Sequence, residues 1–98
     1  MEIESLSLIE ILENGEMFLV LASGGKSSYQ YIYREAAEVY WDNERKAFEA
    51  PVPREWSHSD WYQHIIKVTA NIGITLVLTK DTNWVNVPTE IKDEIGQY

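Results

Sequence analysis

The stretch EWSHSDWYQHI, residues 55–65, contains the side chains of this chain best suited to acid–base chemistry. It holds both histidines, His58 and His64, with Asp60 between them. An aspartate four residues before a histidine on a helix could orient the imidazole as a general base, but ordinary exposed helix pairs have the same spacing. We therefore take His58, Asp60 and His64 as weak acid–base candidates and favour a structural role, because the sequence shows no reacting partner for them.

A shared metal site is not expected from the two histidines. His58 and His64 are about 240° apart around a helix, so one helix cannot present both to the same ion as an i, i+4 pair would. The chain has no cysteine, which excludes disulfides, thiolate metal ligands and thiol nucleophiles. The sequence predicts no metal and no cofactor.

The segment SGGKSS, residues 23–28, resembles the end of a phosphate-binding loop. The first glycine of the G-x-x-x-x-G-K-[ST] pattern would fall at Val20, however, and a strand rather than a helix is expected to follow. We interpret the segment as a flexible connection between strands. Since no other catalytic pattern is present, we predict no catalytic residue and favour a non-enzymatic function.

Tryptophan and tyrosine are frequent for so short a chain, with four Trp and six Tyr among 98 residues. Each combines a large apolar face with one polar group, which suits pockets and protein interfaces. Core packing explains most of them, and Trp61 is expected in the core, whereas loop residues Trp56 and Trp84 are better candidates for a pocket rim. The candidate ligand or interface residues are Tyr29, Tyr31, Tyr33, Trp41, Trp56 and Trp84.

The charge balance limits the possible partners. Eight basic and sixteen acidic residues give a formal net charge of -8, which argues against direct nucleic-acid binding. Residues 1–25 contain five glutamates and no lysine or arginine, so this end could face a basic protein partner, although we favour a solvated acidic rim that keeps the protein soluble. Without a basic leader or a long apolar run, we expect a cytoplasmic protein with no membrane contact.

One helix is strongly indicated, at residues 57–72. Ser57 and Asp60 have the spacing of a capping box, and Gly73 is the usual left-handed stop. The helix would bury an apolar stripe at i, i+4, i+7 and i+11. That stripe consists of Trp61, Ile65, Val68 and Ile72.

The N-terminal apolar runs predict two strands, near residues 5–13 and 16–23, joined by a type I′ turn at Asn14-Gly15. A helix competes for the first run, but its apolar residues scatter around the whole helix circumference. Regular alternation would place one apolar set on each face of the hairpin. The first set is Leu6, Leu8, Leu12, Met17, Leu19 and Leu21, and the second is Ile9, Ile11, Phe18, Val20 and Ala22.

The middle of the chain alternates Tyr29, Tyr31 and Tyr33 with other residues, which favours a strand with an aromatic face. REAAEVY could equally form a helical turn. The strand would continue to Trp41, turn at DNER and return through KAFEA. After the helix, ITLVLTKDTNWVNVP predicts a strand, a turn and a short strand, and Pro88 begins a short helical segment.

These elements predict one α+β domain over residues 1–98. Its sheet would be curved and mainly antiparallel, with five or six strands, and the helix at 57–72 would pack on one face. Since both faces of the N-terminal hairpin are apolar, the second face would need another cover. We therefore expect a homodimer.

With PVPREWSHSDWYQHI placed at a helix start and LTKDTNWVNVP at a strand turn, the chain resembles the small uncharacterised α+β proteins encoded in bacterial mobile (integron) gene cassettes. The resemblance rests on size, acidity, element order and tryptophan-rich junctions, and it carries over no site residue. It implies a bacterial cytoplasmic accessory protein, often oligomeric.

The favoured function is a non-enzymatic binding or interaction protein. Two alternatives stay open. One is an acidic inhibitor, immunity or nucleic-acid-mimic protein that acts on a basic macromolecule. The other is a small-molecule-binding protein with an aromatic pocket.

Overall fold

The structure, a computed structural model, describes residues 2–98 and confirms the α+β fold. Six strands form one mixed open sheet in the order β3-β4-β2-β1-β5, with β6 also paired to β1. Three of the strand pairings are antiparallel, and β1 pairs with β5 and β6 in parallel. The strands are β1 (Glu2–Ile11), β2 (Met17–Leu21), β3 (Tyr40–Asp42), β4 (Ala47–Ala50), β5 (Ile74–Val77) and β6 (Asn83–Val85). The α-helices are α1 (His58–Asn71) and α2 (Thr89–Gln97).

The β1–β2 hairpin forms as predicted, but its turn is not type I′. Leu12 and Glu16 close a three-residue loop through a bond from the Leu12 N–H to the Glu16 carbonyl, and the Gly15 N–H donates to the Leu12 carbonyl. A type I′ turn needs positive φ at both central residues, whereas Gly15, at φ +100°, has positive φ and Asn14 does not. The loop is therefore a type I turn followed by a glycine bulge.

A β-bulge in β1 changes which residues face the core. Leu6 pairs with Leu21 and Leu8 with Val20, so the register shifts at Ser7. The prediction that Leu6 and Leu8 share a face was therefore wrong, since regular alternation ignores an extra residue. Leu8 joins Phe18 and Val20 on the side away from the core. The core side of the hairpin instead carries Leu6, Ile9, Ile11, Met17, Leu19 and Leu21.

The predicted tyrosine strand is instead a 3₁₀ helix, Ser27–Arg34. Tyr29 and Ile32, three residues apart, are buried, while Tyr31 and Tyr33 are exposed. In a 3₁₀ helix residues i and i+3 lie on one side, so alternate tyrosines cannot share a face. The strand that reaches Trp41 begins later than predicted, at Tyr40.

The central helix α1 agrees closely with the sequence prediction. The Ser57 side chain accepts a hydrogen bond from the Asp60 N–H, and the Asp60 carboxylate accepts one from the Ser57 N–H, which is the reciprocal capping box. Gly73 follows with φ +85°. The stripe residues Trp61, Ile65 and Val68 are buried, whereas Ile72, at the C-cap, is exposed.

The C-terminal segment packs beside α1. Ile95 of α2 lies in the same core cluster as Ile65, and the Ser59 hydroxyl donates to Glu94 at 3.3 Å. Pro88 is the residue before the first turn of α2, as expected. No helix in residues 2–98 has the length and apolar character needed to cross a membrane.

The sheet therefore has two different faces. The inner face packs against α1, α2 and the 3₁₀ helix. Within residues 2–98 no helix covers the opposite side, which we call the outer face. One cross-strand row of the inner face is Trp84, Ile9, Leu19, Phe48 and Trp41, and the outer face carries the rows Val85, Glu10, Phe18, Glu49, Tyr40 and Asn83, Leu8, Val20, Ala47, Asp42.

Candidate functional site

The three acid–base candidates are not hydrogen-bonded to one another, and each has a different partner. The His58 ring Nε2 lies 2.8 Å from the carbonyl oxygen of Gly15 and ties the start of α1 to the β1–β2 turn. Asp60 is engaged in the capping box. His64 forms no hydrogen bond with Asp60, so the i, i+4 spacing does not produce an oriented imidazole. In the described residues no group of three potential ligand side chains could hold a metal ion.

His64 belongs instead to an aromatic cluster at the start of α1. Its ring centroid lies 5.0 Å from that of Trp56 and 5.7 Å from that of Trp61, both in edge-to-face contact. The two indoles are 4.8 Å apart with their planes tilted by 53°. Trp56 immediately precedes the cap residue Ser57. The capping box therefore helps to fix the position of the Trp56 ring relative to α1. Trp61 is largely buried, whereas Trp56 is 43% exposed.

This cluster forms one wall of a pocket of about 570 Å³. We call it the Trp56 pocket. Its volume falls within the range of small-molecule sites, about 300–1,000 Å³. Three parts of the chain build it: the segment 35–38 after the 3₁₀ helix, the loop 52–56 before α1, and the first turns of α1. The lining residues are Glu35, Ala36, Ala37, Glu38, Val52, Arg54, Glu55, Trp56, Trp61 and His64.

Charged residues surround the aromatic wall of the Trp56 pocket. Arg54 donates to the Glu38 carboxylate at 2.8 Å, and both side chains are well exposed to solvent. Burial, and then the charge of Lys67, lowers the pKa of His64 below its ordinary value of 6.5, so the imidazole is neutral at pH 7. The pocket thus combines an apolar, uncharged wall with a charged rim.

Glu38 has an unusual backbone in this rim. Its φ is +69°, in the left-handed region that costs a residue other than glycine roughly 1–2 kcal/mol. Its carboxylate pairs with Arg54, and both residues line the pocket. Strained backbone of this kind is concentrated at binding and catalytic sites, which makes the rim a candidate on grounds independent of the pocket's shape.

The other aromatic candidates lie outside this pocket. Tyr29 is buried and its hydroxyl donates to the Glu4 carboxylate, while Trp41 packs against Tyr29 and Phe48 at 5.4 and 4.9 Å. Trp41 also lies where a side chain on Gly25 would be, which gives the SGGKSS segment a packing role. These contacts belong to the core.

Tyr31 and Tyr33 are exposed beside the Arg34 guanidinium, which lies 4.4 and 5.8 Å from their ring centroids. Tyr31 lines a second pocket, of about 400 Å³, together with Glu2 and Lys26. Trp84 is half-buried, with the Lys92 ammonium 5.4 Å from its centroid. Of the six aromatic candidates, only Trp56 is among the residues that line the Trp56 pocket.

The outer face holds a separate pair of carboxyl groups. Glu16 and Glu49 share a hydrogen bond, and Asp42 lies close by. Burial, the hydrogen bond to Glu16 and the neighbouring negative charges raise the pKa of Glu49 to about 7. The Arg45 guanidinium covers Phe18 at 4.3 Å from its ring centroid, so Phe18 is only 2% exposed although no helix covers it.

Sequence reasoning found Trp56 but missed the acidic side of its pocket. Glu35 and Glu38 lie in REAAEVY, for which a strand and a helical turn both stayed open, and Glu55 was not among the candidates. No local pattern brings residues 35–38 to residues 52–56. The 3₁₀ helix brings them together by shortening the path along the chain.

Comparison with known proteins gives a consistent result. No curated protein matches the chain. A solved structure described as an integron cassette protein, Hfx_Cass5, from the mobile metagenome of the North West Arm sewage outfall, is 40% identical in sequence. The match covers 99% of this chain and 95% of that one, with a TM-score of 0.46. The family model of the integron cassette protein Hfx_Cass5 matches residues 5–82, and the chain therefore belongs to this family.

Proposed function

We propose that this protein is a non-enzymatic binding protein whose site for a small molecule is the Trp56 pocket. The observation that carries the proposal is the position of Trp56, an exposed indole held against Trp61 and His64 at the wall of a cavity of about 570 Å³. Exposing a large aromatic ring forgoes the free energy that burial would supply, about 25 cal/mol per Å² of apolar surface. A ligand that covers the ring would recover it.

The contacts of these residues favour ligand binding over acid–base catalysis. Asp60 caps α1, and His64 touches two indoles without a hydrogen-bonded carboxylate to orient it. A general base needs such an oriented partner close to its reacting proton. The residues near His64 supply aromatic surface and charge, which are features of recognition.

The proposal is tested with protein labelled with 5-fluorotryptophan, titrated with indole and phenol. Four tryptophans give four fluorine resonances, assigned by single Trp→Phe substitutions. We expect saturable shifts of the Trp56 and Trp61 resonances, while those of Trp41 and Trp84 stay in place. Equal shifts at all four resonances, or none, would contradict a site at this pocket.

Matched substitutions sharpen that test. Trp56→Ala should abolish the shift at Trp61 and leave the melting temperature within about 4 °C, because its ring is half exposed. Trp84→Ala removes an indole elsewhere and should leave binding unchanged. If Trp84→Ala weakens binding as much as Trp56→Ala, the ligand binds elsewhere.

A second candidate function is self-association through the outer face. Leu8 and Val20 are half-buried there, Val85 and Tyr40 are exposed, and no helix of residues 2–98 covers them. Two-fold pairing is the commonest way for a small protein to bury such a face. Light scattering should then give a dimer mass, and Val20→Glu should reduce it to that of a monomer. A wild-type monomer at high concentration would refute this candidate.

We further propose a cytoplasmic role in a bacterium, supported by membership of an integron cassette protein family. Cell fractionation of a host that expresses the tagged chain would test it. Recovery of the protein outside the cytoplasmic fraction would contradict it.

A further inference from the structure

The charges around the Trp56 pocket indicate the charge of its ligand. Three carboxylates, those of Glu35, Glu38 and Glu55, line the pocket, and Arg54 is the one cation among the lining residues. Arg54 is ion-paired with Glu38. Within residues 2–98 the carboxylates of Glu35 and Glu55 form no ion pair. The pocket therefore has excess negative charge.

The aromatic wall, like the excess of carboxylates, favours a positively charged ligand. A cation is attracted to the face of an aromatic ring by the ring's quadrupole, and tryptophan is the strongest partner. Trp56 presents an exposed indole beside the carboxylates. An anion would be repelled both by the carboxylates and by the ring face. A neutral aromatic molecule would be attracted by contact with the ring but not by the carboxylates.

No other lining residue offsets this charge at neutral pH. His64 is the remaining group that could carry a positive charge, and its partial burial favours the neutral imidazole. Lys67 does not line the Trp56 pocket; it lines a neighbouring pocket that shares Trp56 and His64 with it. Of the nearby cationic groups, Arg54 is thus paired with Glu38, and Lys67 lines the neighbouring pocket.

We infer that the Trp56 pocket binds a small organic cation with an aromatic or apolar group, held by the Trp56 ring and the carboxylates of Glu35 and Glu55. The inference rests on the proposed function, because it adds the ligand's charge to the same site. A pocket of about 570 Å³ accommodates a whole drug-sized cation. It does not require an extended peptide or a protein surface.

The test compares three probes that share a phenyl ring: benzyltrimethylammonium, benzyl alcohol and phenylacetate. Affinity is measured from the Trp56 resonance of 5-fluorotryptophan-labelled protein at pH 7.5 in low salt. We expect the cation to bind at least about tenfold more tightly than the alcohol, and phenylacetate to bind most weakly. Sodium chloride should weaken the cation's binding and leave the alcohol's unchanged.

The double substitution Glu35→Gln with Glu55→Gln removes both unpaired charges with little change in size. It should lower the affinity for benzyltrimethylammonium about tenfold, as expected for two partly solvent-screened charges, and leave that for benzyl alcohol unchanged. A control pair, Glu13→Gln with Glu44→Gln, changes the net charge equally at two exposed residues outside the pocket. It should alter either affinity by less than about twofold.

The outcomes separate the two claims. Equal binding of all three probes at Trp56 would overturn the inference of a cationic ligand and leave the proposed function standing. Equal losses in the two double variants would overturn the role of Glu35 and Glu55. No probe-induced shift at Trp56 or Trp61 would overturn both claims.

Discussion

The two faces of the sheet are built from the same strands but reach stability by different means. On the inner face, Leu19 is fully buried, and the carboxylate of Glu4 is 5% exposed and receives hydrogen bonds from Ser23 and Tyr29. On the outer face, Glu49 lies beside Glu16, and burial together with this neighbour raises the pKa of Glu49 to about 7. A buried carboxylate is tolerated where donors surround it, and it is costly where a second carboxylate is its neighbour.

The largest expected difference between the faces comes from a matched pair of leucines in adjacent strands. Leu19→Ala opens a cavity in the inner face and should cost about 2–5 kcal/mol of unfolding free energy. Leu8→Ala on the outer face should cost no more than about 1 kcal/mol, because its side chain keeps contact with solvent. Urea denaturation measures both. Equal costs would mean that Leu8 faces the core, and that the bulge at Ser7 is wrongly placed.

The next difference concerns the donors of the inner-face carboxylate. Tyr29→Phe removes the hydroxyl that donates to buried Glu4, and should cost about 1–3 kcal/mol. Tyr31→Phe makes the same chemical change at an exposed ring of the same 3₁₀ helix, and should be neutral within about 0.5 kcal/mol. Thermal unfolding of the two variants checks this. Equal losses of stability in the two variants would contradict the 3₁₀ helix. They would instead favour the strand predicted from the sequence, in which both tyrosines lie on one face.

The smallest difference concerns the outer-face carboxyl pair. Because the pKa of Glu49 rises from 4.5 to about 7 on folding, the folded state binds more protons between these values. Stability should therefore fall as the pH rises through that range. At pH 8, Glu49→Gln should raise stability by about 1 kcal/mol, allowing for solvent screening, which is about 4–8 °C in melting temperature.

The control for this last effect is the same variant at low pH. Near pH 4.5 the wild-type Glu49 is already protonated, so Glu49→Gln should leave the melting temperature nearly unchanged. Glu44→Gln, at an exposed residue, should have little effect at either pH. A Glu49→Gln variant that is destabilised at pH 8 would show that the carboxylate is favourably paired.

Elements defined by near neighbours in the chain were predictable. Ser57, Asp60 and Gly73 mark the ends of α1, and its apolar spacing identified Trp61 and Ile65 as core residues. The hairpin and the β3–β4 return were also predictable, because turn residues separate their apolar runs. Trp56 was found as a pocket candidate because it lies in a loop, where a large aromatic ring has less chance of core burial.

The errors have one physical origin, the competition between local pattern and long-range pairing. Period-two alternation correctly describes a regular strand, but it cannot detect the extra residue at Ser7, which adapts β1 to β2 on one side and to β5 and β6 on the other. Alternating tyrosines suited a strand, yet burial of Tyr29 and Ile32 favoured a 3₁₀ helix.

The sequence by itself determined the fold class, the central helix with its cap, and the exclusion of cysteine chemistry, because each depends on residue type or on spacing within a few turns. Tertiary structure alone decided the two unlike faces of the sheet and the acidic side of the Trp56 pocket. Residues 35–38 and 52–56 meet because the 3₁₀ helix and the β3–β4 return position them together. Such a meeting depends on register and packing across the whole chain, which local spacing does not encode.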